Sequence, residues 1–225
     1  MTTMTLLWSP RSPFARKAAI AATLCGLGDA IAFAQTLVAL DRVPGPDLLK
    51  LNPLGKIPVL LRQEASPLYD SRVICACLDA VAGGGRLLPR EGEARLDALR
   101  REALGDGLSE ALLLWRREAG RGAAAESGIL AGFDAKVRAI LAHLDASSPR
   151  GPSRQGDEPA DVGDIAIFTA LDHLDFRFAG CGWRDAHRSL SAWHEAHARH
   201  PAFANHRAPA APDGTAPLLS FGGAA

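Results

Sequence analysis

Three short segments near the start of the chain carry side chains and backbone groups suited to chemistry. In SPFARK, residues 12–17, Ser12 stands where a short apolar run gives way to alanine-rich, helix-favouring sequence. A helix start exposes unpaired amide hydrogens and the positive end of the dipole, so a hydroxyl there can cap the helix or help hold an anion. In NPLGKIPVL, residues 52–60, Pro58 opens a strand without an amide hydrogen. A trans bond there fits an ordinary sheet edge. A cis Ile57-Pro58 bond would instead turn the Ile57 backbone toward a ligand and leave its amide and carbonyl to pair with a peptide. In YDSRVI, residues 69–74, Asp70 and Ser71 open another helix, where they can act as a cap or hold a carboxylate and meet an ammonium group.

These segments need a small sheet to hold them. Residues 4–8 read as a strand punctuated by the prolines of SPRSP, residues 14–25 as a helix, and residues 31–38 and 57–61 as further strands. A brief strand around Leu68 leads into a helix over residues 70–81. This order predicts a mixed α/β first domain over residues 1–82. Gly83-Gly84-Gly85 and the sequence after it read as a linker over residues 83–91.

From residue 92 to residue 225 the pattern becomes all-helical. Ile129, Phe133, Val137, Ile140, Leu141 and Leu144 recur at helical spacing. The segment 165–174 is apolar on several sides, which places it at the centre of the second domain, and Asp161 with Asp164 marks its start. The proline- and glycine-rich tail after about residue 205 is expected to be loosely ordered.

Composition excludes several classes. The 225 residues carry 25 basic and 25 acidic side chains, so no overall field gathers nucleic acid or anionic lipid. Arg100-Arg101 and Arg116-Arg117 read as solvated helix faces. No signal peptide or membrane span is legible, and the four cysteines form no CxxC pair, which leads to the expectation of a cytoplasmic protein with reduced thiols. His194, His197 and His200 recur every three residues, but HEAH does not match the HExxH spacing and no metal is expected.

Taken together, SPFARK, NPLGKIPVL, DSRVI and the capped DVGDIAIF helix resemble the cytosolic glutathione S-transferase superfamily over nearly the whole chain, and most closely small bacterial members with SPFVRK and FNPLGKVPVL. The resemblance implies a thioredoxin-like first domain, an all-helical second domain and a homodimer. It implies that Ser12 activates the glutathione thiol, that Ile57 before cis Pro58 pairs with the cysteinyl backbone, and that Asp70 and Ser71 bind the γ-glutamyl end. Lys56 would face the glycyl carboxylate and Phe14 would pack under the site. Glutathione is then a co-substrate and no separate cofactor is needed. A small hydrophobic electrophile would sit between the domains, with Leu112 and Trp115 as candidate walls beside their alternative duty in the core. Asp106 reads as a contact for the glutathione ammonium across a dimer interface or as a solvated residue.

The only tyrosine is Tyr69 and no cysteine precedes Cys25, so tyrosine-type and cysteine-type members are poor matches. Serine chemistry remains, with Ser9 as the competitor of Ser12. The expected activity is conjugation of glutathione to an electrophile in detoxification. A ligand-binding protein without turnover, or a glutathione-dependent isomerase or dehalogenase, would use the same site.

Overall fold

The computed structural model describes residues 4–39, 42–147, 160–210 and 219–221. Strand β1 (Met4–Trp8) passes through the SPRSP turn into helix α1 (Pro13–Leu24) and returns as β2 (Ile31–Gln35), parallel to β1. Helix α2 (Pro46–Leu51) precedes β3 (Val59–Arg62) and β4 (Ala65–Leu68), which add antiparallel to give the sheet order β2-β1-β3-β4. Pro67, which cannot donate to a ladder, lies on the edge strand β4. Helix α3 (Ser71–Val81) follows and packs against α1. This thioredoxin-like domain buries Leu6, Ala18, Ala19, Ala22, Leu60 and Ile74 without exposed surface above 1%.

Helix α2 lies between the second and third strands, where no element is legible from the sequence. Pro46 at the first helical position has its ring torsion preset, Asp47 favours the positive helix end, and together they start a helix of six residues that carries no legible periodicity.

The second part is helical: α4 (Gly92–Ala119), α5 (Ser127–Ala146), α6 (Val162–Arg177), α7 (Trp183–Ala186), α8 (Arg188–Ala198) and α9 (Pro201–Ala204). Helix α6 is central and buried almost throughout. It begins with a capping box in which Asp161 accepts from the Gly163 and Asp164 amides while Asp164 accepts from the Asp161 amide at 3.0 Å. Its backbone comes so close to α4 that a Cβ on Gly105 would lie 2.4 Å from the carbonyl carbon of Ala166. Farther along, Trp115 of α4 meets Phe178, just past α6, with ring centroids 5.5 Å apart. The two helices therefore run side by side in the same direction.

The segment between α3 and α4 is held in place. Asp79, 5% exposed, accepts from the amides of Gly85, Arg86 and Leu87 at 3.0, 2.8 and 2.6 Å. Of the tail, residues 206–210 and 219–221 are described, and the expectation for the rest lies outside the described residues. Arg207 and the Ala208 amide bind Asp172, His206 meets the Thr23 hydroxyl at 3.0 Å, and Leu219 is buried, so these residues pack onto both domains. Among the described residues no helix is long and apolar enough to cross a membrane.

Candidate glutathione site

Sheet register brings the three segments to one end of the first domain. Leu7 pairs with Val59 across β1 and β3, so the chain leaving β1 toward Ser12 lies beside the chain entering β3 through Ile57 and Pro58. Leu60 pairs with Leu68 across β3 and β4, so Tyr69, Asp70 and Ser71 leave β4 at the same end. Segments about fifty residues apart in sequence thus meet because β3 runs against both neighbours.

Ser12 caps α1: its Oγ accepts from the Ala15 amide at 3.2 Å, and Pro13 fills the first helical position. The hydroxyl is half-buried, and its hydrogen has no acceptor among the described residues. Ser9 is only 4% exposed and its Oγ accepts from the Arg11 amide at 3.3 Å. Phe14 is half-buried. The Ile57-Pro58 bond is cis, with Pro58 buried and Ile57 half-buried. Before it, Asn52 holds the loop by donating to the Lys56 carbonyl at 2.8 Å and accepting from the Leu54 amide at 3.0 Å. Gly55 adopts a φ of +63°, and a side chain there would meet Pro44 at 2.5 Å. Lys56 is exposed. Asp70 is exposed and caps α3 by accepting from the Arg72 amide at 3.0 Å, whereas Ser71 is 2% exposed. The cap geometry expected at Ser12 and Asp70 is present.

Beneath this surface lies a charge network that sequence reading missed. Lys17, fully buried, pairs with Glu102 and Asp106 at 2.8 Å each, and Arg72 donates to Asp106 at 2.8 Å. Asp106 is 3% exposed, so it is not a solvated residue, and it already serves two cations of its own chain. Arg101 is likewise not on a solvated face: it is 11% exposed and binds Asp97, Asp161 and Asp164. Leu112 has no exposed surface and Trp115 retains 4%, so the structure places both in the second domain's core.

Arg16 crosses from α1 to α6, where it binds Asp172 and donates to the Thr169 carbonyl at 3.1 Å. Burial pulls its pKa down to about 10, against the raising charge of Asp172. The periodic histidines do three different things. His194 stacks on Phe168, His197 bonds the Trp193 carbonyl, and His200 accepts from the Ala202 amide. Asp172, Asp175 and His194 come within ligand distance of one another, but Arg16 and Arg207 engage Asp172 and Arg184 engages both Asp175 and His194. Those charges are thereby matched within the chain. Burial raises the Cys25 thiol to about 11 and the Cys75 thiol to about 12, which leaves both protonated at neutral pH.

A four-stranded thioredoxin-like sheet with a cis-proline strand beside its first helix start, followed by an all-helical part, defines the class of fold. Residues 11–81, which contain all three segments, match the glutathione S-transferase N-terminal domain. The chain is similar to the uncharacterized GST-like protein YibF of Escherichia coli (strain K12), 30% identical over 184 residues that cover 80% of this chain and 86% of that protein. Among solved structures it is similar to a glutathione transferase family member from Pseudomonas fluorescens Pf-5 with bound glutathione. That match has 33% identity, a TM-score of 0.83, and coverage of 92% of this chain and all of the other. A glutathione S-transferase from Methylobacillus flagellatus, with glutathione bound, matches at 29% identity and a TM-score of 0.79, over 92% of this chain and all of that one. The chain belongs to the glutathione S-transferase superfamily.

Proposed function

We propose that this protein binds glutathione at the end of its sheet and transfers the glutathione thiolate to an electrophile. The observation that carries the reading is the meeting of the Ser12 helix start, the cis Ile57-Pro58 strand entry and the Asp70-Ser71 helix start at one end of the first domain. The glutathione-bound relatives support it.

In this reading the Ile57 backbone pairs with the cysteinyl residue, Asp70 and Ser71 hold the γ-glutamyl ammonium and carboxylate, Lys56 faces the glycyl carboxylate, and Phe14 supports the site. A free thiol has a pKa of about 8.5, so binding must favour its ionised form. Ser12 accepts from the Ala15 amide and still has a hydrogen to donate, so it serves helix and sulfur together. The thiol proton passes to solvent. The sulfur then forms a bond to the electrophilic carbon as the leaving group departs with its electron pair, or as electrons shift onto a conjugated acceptor.

Helices α3 and α4 leave Val73, Val81, Leu96 and Leu99 exposed at 36% or more, an apolar surface that a homodimer would cover.

Thiolate absorbance of bound glutathione, followed across pH, tests the activation step. Ser12→Ala should raise the bound thiol's pKa and slow conjugation of an aryl halide, with glutathione affinity less affected. Ser71→Ala should weaken glutathione binding by about 1.5–3 kcal/mol. Bound glutathione whose titration is unmoved in Ser12→Ala but shifted in Ser9→Ala transfers the role to Ser9. Tight glutathione binding without turnover of any electrophile would favour a ligand-binding protein.

A further inference from the structure

Three arginines with no carboxylate partner among the described residues gather beside the Ser12 helix start. Arg116 occupies the last turn of α4 and Arg177 the last turn of α6. The Trp115–Phe178 ring contact makes these two neighbours across the helix pair. Arg11 directly precedes Ser12, and its charge acts on Arg177 together with that of Arg116. Arg177 lies over the Phe176 ring at 3.9 Å, and its Nε is shielded from solvent without a hydrogen-bond partner. Nearby, His173 on α6 is fully buried with both ring nitrogens unpartnered, and it feels the charges of Arg16, Arg177 and Arg116.

Among the other interior or half-buried arginines described, Arg16, Arg101 and Arg184 are matched by aspartates, and Arg62, Arg86 and Arg95 donate to backbone carbonyls, whereas Arg177 has neither kind of partner. A basic residue in the last turn of a helix is favoured by the dipole, which accounts for Arg116 and Arg177 one at a time. It does not account for a third cation, from a loop of the other domain, whose charge also acts on Arg177. Three like charges repel unless something of opposite sign joins them, and burial and the charges of Arg116 and Arg11 together lower Arg177 to about 10.

We propose that Arg11, Arg116 and Arg177 form an anion-binding subsite next to the glutathione sulfur, which selects electrophiles bearing a carboxylate. The inference rests on the proposed glutathione site and specifies its second substrate. Arginine's planar fork suits a carboxylate, and the surrounding cations would orient the electrophile with its reactive carbon toward the thiolate.

The test is calorimetric binding of three ligands to the full chain: glutathione, S-benzylglutathione and S-(4-carboxybenzyl)glutathione. The wild type should bind the carboxybenzyl conjugate at least about tenfold more tightly than the benzyl one, with the preference shrinking as salt rises. Arg116→Gln and Arg177→Gln should each cut that preference several-fold while leaving glutathione and S-benzylglutathione affinity unchanged. Arg116 is exposed, so its variant answers the question even if Arg177→Gln fails to fold. Equal affinity for the two conjugates in the wild type overturns the subsite, as does a variant loss shared by all three ligands, which would assign the arginines to glutathione itself. If only the melting temperature changes, the arginines serve the helix ends and the subsite is refuted. Failure of glutathione and both conjugates to bind refutes the underlying site, and the subsite with it.

Discussion

Removal of Asp172 tests how the two domains are joined. Its carboxylate is 2% exposed and takes three donors: Arg16 from α1, Arg207 Nε at 2.5 Å and the Ala208 amide at 2.6 Å. Asp172→Leu would leave the fully buried Arg16 cation with only the Thr169 carbonyl at 3.1 Å. Stranding one partner of a buried pair costs about 3–5 kcal/mol, and most of the loss here should come from Arg16, because Arg207 is 40% exposed and solvated. Burial and the charge of Arg207 lower the Arg16 pKa against the raising charge of Asp172, and a buried ion pair commonly fails to recover its full desolvation cost. Removing both charges should therefore hurt less than removing one. Urea unfolding of wild type, Asp172→Leu, Arg16→Met and the double variant supplies the cycle. The double variant should be more stable than Asp172→Leu alone. A loss under about 1 kcal/mol in Asp172→Leu, or single losses that simply add in the double variant, would refute the coupling.

His173 is held neutral by burial first and then by Arg16, Arg177 and Arg116, so its folded pKa lies well below the unfolded value of 6.5. Its contribution to stability is present above pH 6.5 and is lost as pH falls through that value, at about 1.4 kcal/mol per pH unit. Urea midpoints measured between pH 7.5 and 5.5 should fall less steeply in His173→Leu, and an unchanged slope would argue against a buried neutral imidazole. Asp79→Ala deprives three linker amides of a charged acceptor and should cost about 3 kcal/mol. Protease cleavage between residues 83 and 91 should rise with it, and wild-type resistance would count against the clamp. Ser12→Ala removes the α1 cap and should lower stability by about 0.5–2 kcal/mol whatever happens to the thiol titration.

Much of the fold is legible because its signals are local. The apolar run Met4–Trp8 before a proline turn is a strand, and Asp161 with Asp164 forms the capping box their spacing suggests. Helix α5 follows its pattern, with Val137, Leu141 and Leu144 buried, although Ile129 at its start is 46% exposed. Helix α2 is missed because six residues span less than two full turns and two prolines precede its apolar positions. The contacts of residues 206–208 are not legible for a different reason. Alanine, proline and glycine signal weak local preference, yet Arg207 and the Ala208 amide gain order from an aspartate thirty-five residues earlier.

The site divides along the same line. Ser12, Ile57-Pro58 and Asp70-Ser71 are visible because helix starts and a strand-opening proline leave marks in adjacent residues, and sheet register then brings them to one end. The charged residues beneath are not visible, because a charge reads as exposed until its partner is known. Lys17 finds Asp106 eighty-nine residues away and Arg16 finds Asp172 across 156, distances that no periodicity encodes. Once those pairs are drawn, the arginines left over carry information of their own. Arg116 looked like any solvated helix charge, and only its placement beside Arg177 and Arg11, with the interior carboxylates already taken, makes it a place where an anion from outside the chain completes the balance.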